Sequence, residues 1–215
     1  MLSTLRNYKN QLVFVVFGIL FTLVVQIGYK HFLESRQPPV NLEKVVLAKP
    51  RGMGAFDLID HQGRPFQVDR LLGPWTFLVF GMTHCLADCP GSPTLLDEVR
   101  RILPNNPRLV PATQWVFATV DPRRDQPEVL RGYLSRLTNG WTGVTGTDEA
   151  VRHFAEELGV TLDFSRPQPA GPIPPATIIL FNPKGRWHAS FGPDWQDPRA
   201  IAETFLQIVQ RFSRR

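Results

Sequence analysis

The chain has 215 residues and a formal net charge of +5. Its arginines are dispersed along the sequence, without a basic stripe interleaved with aromatic residues, so the charge pattern argues against nucleic-acid binding. The sequence holds only two cysteines, and it contains no internal repeat or low-complexity tract.

The first apolar segment runs from Leu12 to Tyr29 and carries no charge. A segment of this length is just long enough to cross the hydrocarbon core of a bilayer as a helix. It exceeds the apolar region of an ordinary signal peptide, and no small-residue cleavage site follows it before Lys30. The sequence therefore predicts an uncleaved transmembrane anchor at residues 12–29.

The charges that flank this segment do not settle its orientation, because basic residues lie on both sides of it. A single N-terminal anchor usually leaves its N-terminus in the cytoplasm, and a working cysteine pair suits an oxidising compartment. We therefore expect residues 1–11 in the cytoplasm, a single pass through the cytoplasmic (inner) membrane, and the rest of the chain in the periplasm or its equivalent.

A linker is predicted at residues 30–53, with an added strand at Lys44–Leu47 as an alternative for part of it, and one domain follows at residues 54–215. The domain opens with a predicted hairpin, and its first buried strand is the apolar run Trp75–Gly81. Further strands are predicted at Gln114–Val120, Thr177–Phe181 and Trp187–Phe191, and helices at Thr94–Leu103, Pro127–Leu137, Asp148–Leu158 and from Asp197 onward. Strands that alternate with helices in this way predict a three-layer α/β domain.

The two cysteines, Cys85 and Cys89, follow the strand Trp75–Gly81 directly. A cysteine pair at the start of a helix is favoured as thiolate by the helix dipole. On a helix, positions four apart share a face, and their separation of roughly 6 Å allows a disulfide. Reversible disulfide exchange and binding of a soft metal such as Cu(I) are the two chemistries that follow, with a structural disulfide as the alternative.

Three motifs stand out in the predicted domain. They are Phe56-x-Leu-x-Asp60-x-x-Gly63, Phe80-Gly81-x-Thr83-x-Cys85-x-x-x-Cys89-Pro90 and Val120-Asp121-Pro122-x-Arg124-Asp125-x-Pro127. Together they resemble the Sco/SenC family of membrane-anchored proteins with a thioredoxin fold, which support assembly of the copper centre of cytochrome oxidase. The resemblance implies that Cys85 and Cys89 are copper ligands and form a redox-active disulfide. It also implies, as partner, a respiratory oxidase subunit or its copper chaperone.

The chain departs from the family pattern where the third copper ligand is expected. The resemblance places the family's histidine at Pro174, so the imidazole is missing, and Leu86 stands where the family commonly has proline. Cu(II) prefers nitrogen or oxygen donors, whereas two thiolates can hold Cu(I). The same stretch resembles the loop of thioredoxin-like reductases in which a cis-proline faces the dithiol, which assigns Pro175 or Pro174 to that position, with a plain rigid loop as the alternative.

Other polar residues offer weaker candidates. Asp121 ends a strand near the cysteines, where it either tunes a thiol or opens a turn. Arg124 and Asp125 are expected to form a surface pair that orders the loop. His84 is disfavoured as a ligand because neighbours on a helix point about 100° apart. His31 belongs to the membrane flank, and the remaining histidines are expected at solvated or boundary positions; they are His61, His153 and His188.

These residues leave three hypotheses open. In the first, a membrane-anchored Sco/SenC-like protein supports copper-site assembly by reducing its partner's oxidised cysteines through Cys85 and Cys89, with Cu(I) handling by the same sulfurs; Cys85 is expected to attack first. The second is a copper metallochaperone with an unrecognised third ligand. The third is a general thiol-disulfide oxidoreductase unrelated to copper. The spacing around Thr83 argues against a peroxidase of the peroxiredoxin type.

Overall fold

The computed structural model describes residues 18, 20–26, 42–84, 93–105, 110–160, 162 and 176–214. The chain divides into two compact units, Met1–Val40 and Asn41–Arg215. In the first unit, residues 20–26 are helical and exposed. No helix within the described residues is both long enough and apolar enough to span a bilayer. The anchor predicted at residues 12–29 lies mostly outside the described part of the chain.

The second unit is built on one mixed sheet, in the strand order β1-β8-β7-β4-β5-β6-β2-β3. The neighbours β4, β5 and β6 are parallel to one another, and the other pairings in the sheet are antiparallel. The strands are β1 (Val46–Arg51), β2 (Leu58–Asp60), β3 (Pro65–Phe66), β4 (Trp75–Gly81), β5 (Thr113–Thr119), β6 (Trp141–Thr145), β7 (Ile178–Phe181) and β8 (Trp187–Phe191).

Strand β4 lies at the centre, and all seven of its residues are buried. Successive side chains of a strand point to opposite faces of the sheet. Phe77 and Val79 accordingly belong to one hydrophobic cluster, and Leu78 and Phe80 to the other. A strand covered on both faces needs a continuous apolar run, which explains the sequence of β4.

Helices cover both faces of the sheet. The first cluster includes buried residues from α1 (Pro93–Ile102), α2 (Pro127–Leu134) and α4 (Pro198–Ser213), and the second includes residues from α3 (Asp148–Glu157). Helix α4 begins as predicted, because the Asp197 side chain accepts a hydrogen bond from the backbone N–H of Arg199 at 2.9 Å. The predicted three-layer α/β architecture is confirmed.

Two strands differ from the expectation. β1 lies inside the stretch predicted as a linker, and the compact unit begins at Asn41, before residue 54. β1 overlaps the added strand predicted at Lys44–Leu47 only at residues 46 and 47. Pro50 is tolerated in β1 because it is an edge strand. β6 was not predicted from the sequence, and its short run Trp-Thr-Gly-Val-Thr has a glycine in the middle.

Candidate functional site

The candidate site lies where the parallel strands β4 and β5 end. Gly81 and Thr119 are register partners at the C-terminal ends of these strands. The segment that leaves β4 towards Cys85 therefore meets the loop that follows β5 at one edge of the sheet. Cys85 and Cys89 themselves, and Pro174 and Pro175, lie outside the described residues.

A buried carboxylate, that of Asp125, joins these two segments. Asp125 is fully buried. Its oxygens accept hydrogen bonds from the backbone N–H of Thr83 at 3.0 Å and from the hydroxyl of the same residue at 2.5 Å. A third hydrogen bond, at 2.6 Å, comes from the hydroxyl of Thr119. The backbone two residues before Cys85 is thus tied to the end of β5.

The predicted surface pair of Arg124 and Asp125 is wrong. Asp125 faces the interior. The pKa of Tyr133 is raised mainly by the burial of Tyr133 itself, and the negative charge of Asp125 raises it further. Arg124 instead places its Nε atom 3.6 Å from the Oδ2 atom of Asp121. A carboxylate can be buried in this way because three donors satisfy it.

The ring of His84 is held by the same network. Its Nδ1 atom lies 2.9 Å from the hydroxyl oxygen of Thr83 and 3.5 Å from Oδ1 of Asp125. The hydroxyl proton of Thr83 is already donated to Asp125, so that oxygen can only accept from His84. Nδ1 of His84 therefore carries a proton, and in the neutral ring Nε2 holds the lone pair.

This geometry corrects the argument that disfavoured His84 as a ligand. Residues Thr83 and His84 lie in a turn, and the next described helical residue is Pro93. The angular spacing of helix neighbours consequently does not apply to His84. Its side chain is about half exposed, at 51%, so Nε2 is a nitrogen donor next to Cys85 in the sequence.

Asp121 lies at the same edge of the sheet and is almost completely buried. Its backbone N–H donates to the hydroxyl of Thr119 at 3.0 Å, and its carbonyl oxygen accepts from the N–H groups of Arg124 and Asp125. The Oδ2 atom of Asp121 has no hydrogen-bond partner in the described structure. The residue therefore opens a turn, as one prediction had it, and also brings a buried carboxylate to this edge.

The other histidines lie elsewhere. His188 is buried, against the prediction, with its ring edge-on to those of Trp75 and Phe212. His61 is only partly exposed, and its Nδ1 atom accepts a hydrogen bond from the backbone N–H of Gly143 at 3.1 Å. This partial burial lowers the pKa of His61. His153 is exposed as expected, with Nε2 at 3.1 Å from the carbonyl oxygen of Ala55.

A preformed site of three or more His, Cys, Asp and Glu side chains is not found in the part of the chain that the structure describes. The predicted site residues are Cys85, Cys89, Asp121 and Pro175, and only Asp121 belongs to the described residues. The structure adds Thr83 and Asp125, which sequence reasoning missed as functional residues, although both belong to the motifs quoted above. Their pairing was hidden because 42 positions separate them in the sequence.

Among known proteins, similar chains are found in bacteria, fungi and animals. The chain is 30% identical to the SCO2-like protein of Rickettsia prowazekii over 147 residues. This match covers 66% of this chain and 70% of the Rickettsia protein. The chain is 39% identical over 109 residues to the mitochondrial SCO2 homolog of Mus musculus, covering 51% of this chain and 42% of the mouse protein. With several curated relatives, the match thus spans only about half of their length.

Solved structures agree with this relationship. The crystal structure of yeast Sco1 with copper bound is 27% identical, with a TM-score of 0.65, and covers 75% of this chain and 90% of the yeast chain. The fold is thus the thioredoxin-like α/β fold expected from the resemblance. The family model described as SCO1/SenC matches residues 46–210, and the chain belongs to the SCO1/SenC family.

Proposed function

We propose that this protein supports assembly of the copper site of a cytochrome oxidase, as a dithiol that reduces the oxidised cysteines of its partner. The observation that carries the proposal is the attachment of Thr83 to the buried Asp125. It fixes the backbone that leads into Cys85 at the C-terminal end of the central strand. Family membership and the copper-bound yeast relative supply the link to copper.

The proposed step is an ordinary thiol–disulfide exchange. The thiolate of Cys85 attacks one sulfur of the partner's disulfide, which forms a mixed disulfide and releases one partner thiolate. The thiolate of Cys89 then attacks the sulfur of Cys85 and releases the second partner thiolate, which takes up a proton. The partner's disulfide gains two electrons, and the Cys85–Cys89 pair loses them.

Copper enters this proposal as cargo. Two thiolates suffice to hold Cu(I), so Cys85 and Cys89 can bind it without the histidine that the family carries at the position of Pro174. Holding copper and reducing a disulfide both use the same two sulfurs. The two activities therefore belong to different states of the protein. The reduced protein with bound Cu(I) carries copper, and the reduced protein without metal reduces the disulfide.

A copper metallochaperone is the second candidate, and His84 favours it. The hydrogen bond to Thr83 leaves the lone pair on Nε2 of His84, and in metal sites a second contact of this kind orients the ligating histidine. His84 is then the third donor that the sequence alone did not identify. The chaperone proposal predicts tight Cu(I) binding that weakens when His84 is changed.

An anaerobic Cu(I) titration of the fully reduced chain against a competing chelator separates these candidates. The Cys85→Ser/Cys89→Ser variant is the control for adventitious binding. One bound copper that is lost in this control, and held at least about tenfold less tightly in His84→Gln, supports the chaperone. A His84→Gln variant that binds like the native chain excludes the imidazole as donor. Binding no stronger than in the control removes copper transfer and leaves dithiol reduction.

Trapping with Cys89→Ser tests the reductant proposal and the general oxidoreductase alternative together. Without the resolving thiol, the mixed disulfide between Cys85 and the partner persists. Capture of an oxidase subunit or of its copper chaperone supports the assembly role. Capture of a broad set of unrelated proteins supports a general oxidoreductase instead. Cys85→Ser is the matched control, because it removes the attacking thiol.

The same proposal includes the anchored topology. Residues 12–29 cross the cytoplasmic membrane, residues 1–11 stay in the cytoplasm, and the domain faces the periplasm. The uncharged run Leu12–Tyr29 supports this arrangement. Protease added to intact spheroplasts should digest the domain, and a domain that is protected until the membrane is opened would contradict the topology.

A further inference from the structure

One edge of the sheet carries a concentration of exposed basic side chains. They surround the edge strand β1, the turn between β7 and β8, and the end of helix α4. We call this surface the basic face; it consists of Lys44, Lys49, Arg51, Lys184, Arg186, Arg211 and Arg214, all exposed.

Contacts with aromatic residues hold two of these side chains against this edge of the sheet, one on each side of it. Arg51 lies over the ring of Trp187, at 5.4 Å from its centroid, and the Nζ atom of Lys184 lies 6.0 Å from the ring of Phe212. Arg211 and Phe212 line one hollow of about 380 Å³ together with residues of β1. The end of α4 is thereby joined to the beginning of the sheet.

The charge of the basic face is largely uncompensated. Among the described residues, every ion pair lies elsewhere, on Arg64, Arg70, His84, Arg101, Arg123 and Arg124. One carboxylate, that of Glu43, lies in the hollow beside Arg211. The seven cations concentrate positive charge on this face, even though the whole chain is only at +5.

Lysine usage marks the same surface. The chain contains five lysines, at positions 9, 30, 44, 49 and 184. All three lysines within the described residues belong to the basic face. The rest of the described unit carries its positive charge on arginine. Amine chemistry on the folded unit therefore reports on this face.

We propose that the basic face binds the anionic surface of the bilayer that holds the protein, an inference that rests on the anchored topology proposed above. The predicted anchor ends at Tyr29, and the described unit resumes at Leu42, which lines the hollow beside Arg211. Residues 30–41 reach roughly 40 Å when fully extended. The chain thus enters the unit at its basic face, within reach of the headgroups.

Charge complementarity selects the lipid. Each Lys or Arg close to an anionic leaflet increases the affinity for that leaflet about fivefold. Salt screens this attraction, and at about 1 M salt it extends over only a few ångströms. A face of several cations should therefore rest on phosphatidylglycerol and not on phosphatidylcholine. An acidic protein partner is the competing occupant, and it would need no anionic lipid.

Amine labelling of the full chain in nanodiscs tests the proposal. The chain is inserted into discs of phosphatidylcholine alone or with phosphatidylglycerol, neither of which has a primary amine, and labelling of Lys44, Lys49 and Lys184 is followed by mass spectrometry. We expect labelling to slow at least about fivefold in the anionic discs and to recover at 1 M salt. Arg136→Lys supplies a reference amine in the turn after α2, whose labelling should not change.

Charge reversal provides the matched comparison. Arg51→Glu/Arg211→Glu should abolish the protection of the lysines in anionic discs. Arg136→Glu/Arg199→Glu makes the same change in net charge on exposed residues outside the basic face and should preserve it. Equal labelling in both kinds of disc, or protection that survives the first variant, overturns the proposal. Failure of the chain to enter discs at all would instead contradict the anchor.

Discussion

Thr83 donates both its backbone N–H and its hydroxyl to the carboxylate of Asp125, which lies 42 residues further along the chain. The two residues join the exits of two neighbouring parallel strands at the edge from which the chain proceeds to Cys85. Because the carboxylate is fully buried and also accepts from Thr119, it can fix the position of Thr83. The bond between Thr83 and His84 extends the same network to the surface.

Asp125→Ala should destabilise the domain and slow the reduction of a partner disulfide. The change removes one acceptor from three donors, and unsatisfied buried donors are costly, so we expect a loss of about 3 kcal/mol in the free energy of unfolding. Thr83→Val removes only one hydroxyl and should cost about 1 kcal/mol. Urea unfolding of both variants measures the difference. A Thr83→Val variant that is the less stable of the two would contradict the role of Asp125.

Asp121→Asn should alter the reactivity of the cysteine pair more than the stability of the fold. The Oδ2 atom of Asp121 makes no hydrogen bond among the described residues, and its ion pair with Arg124 is long, at 3.6 Å, so an amide can replace the carboxylate at a cost of under about 1 kcal/mol. A negative charge disfavours a nearby thiolate, so its removal should speed alkylation of the thiols near neutral pH. The rate of thiol alkylation is measured against pH for the native chain and for Asp121→Asn, with Asp148→Asn as control. If the native and Asp121→Asn profiles are identical, Asp121 has only the structural role of opening the turn.

Asp97 should make the protein sensitive to acid. Burial alone would raise the pKa of Asp97, but hydrogen bonds from Thr138 and from the indole N–H of Trp141 outweigh it and hold the pKa below its usual value. A carboxyl whose pKa is lowered on folding stabilises the fold above its unfolded pKa of about 3.9 and loses this contribution as the pH falls through the folded value.

Asp97→Asn should accordingly cost about 1–3 kcal/mol at pH 7, and the difference from the native chain should shrink below about pH 4. The free energy of unfolding, measured from pH 7 to pH 2 for both proteins, checks this expectation. Asp194→Asn alters an exposed carboxylate and is the control. A difference that stays constant with pH would show that the charge of Asp97 is not involved.

The sequence predicts the central elements because their signals are local. The apolar run Trp75–Gly81 and the strand Trp187–Phe191 are found at their predicted bounds. β6 escapes prediction because its middle residue is Gly143. A Cβ atom there would come within 2.8 Å of the side chain of Leu134, so α2 packs directly on the strand. Close packing imposed this glycine, which weakened the strand pattern.

The site is less predictable because its partners are distant in sequence. Nothing local marks Asp125 as the acceptor for Thr83, and the neighbouring Arg124 suggested a surface pair instead. His188 was expected at a solvated position, but Phe212 and Trp75 enclose it only once α4 folds back on the sheet. Such contacts depend on tertiary structure, so pattern and propensity do not reveal them.

Pro174→His should restore the family's third copper donor. The resemblance assigns the family histidine to this position, and an imidazole is the nitrogen donor that Cu(II) lacks when two thiolates act alone. We expect the variant to bind Cu(II) at least about tenfold more tightly than the native chain, a difference of about 1.4 kcal/mol. Competition titrations and the optical spectrum of the Cu(II) complex measure this. Pro175→His is the matched control, one position away. If both variants bind Cu(II) like the native chain, the ligand position does not correspond to residue 174, and His84 becomes the nitrogen donor to change next.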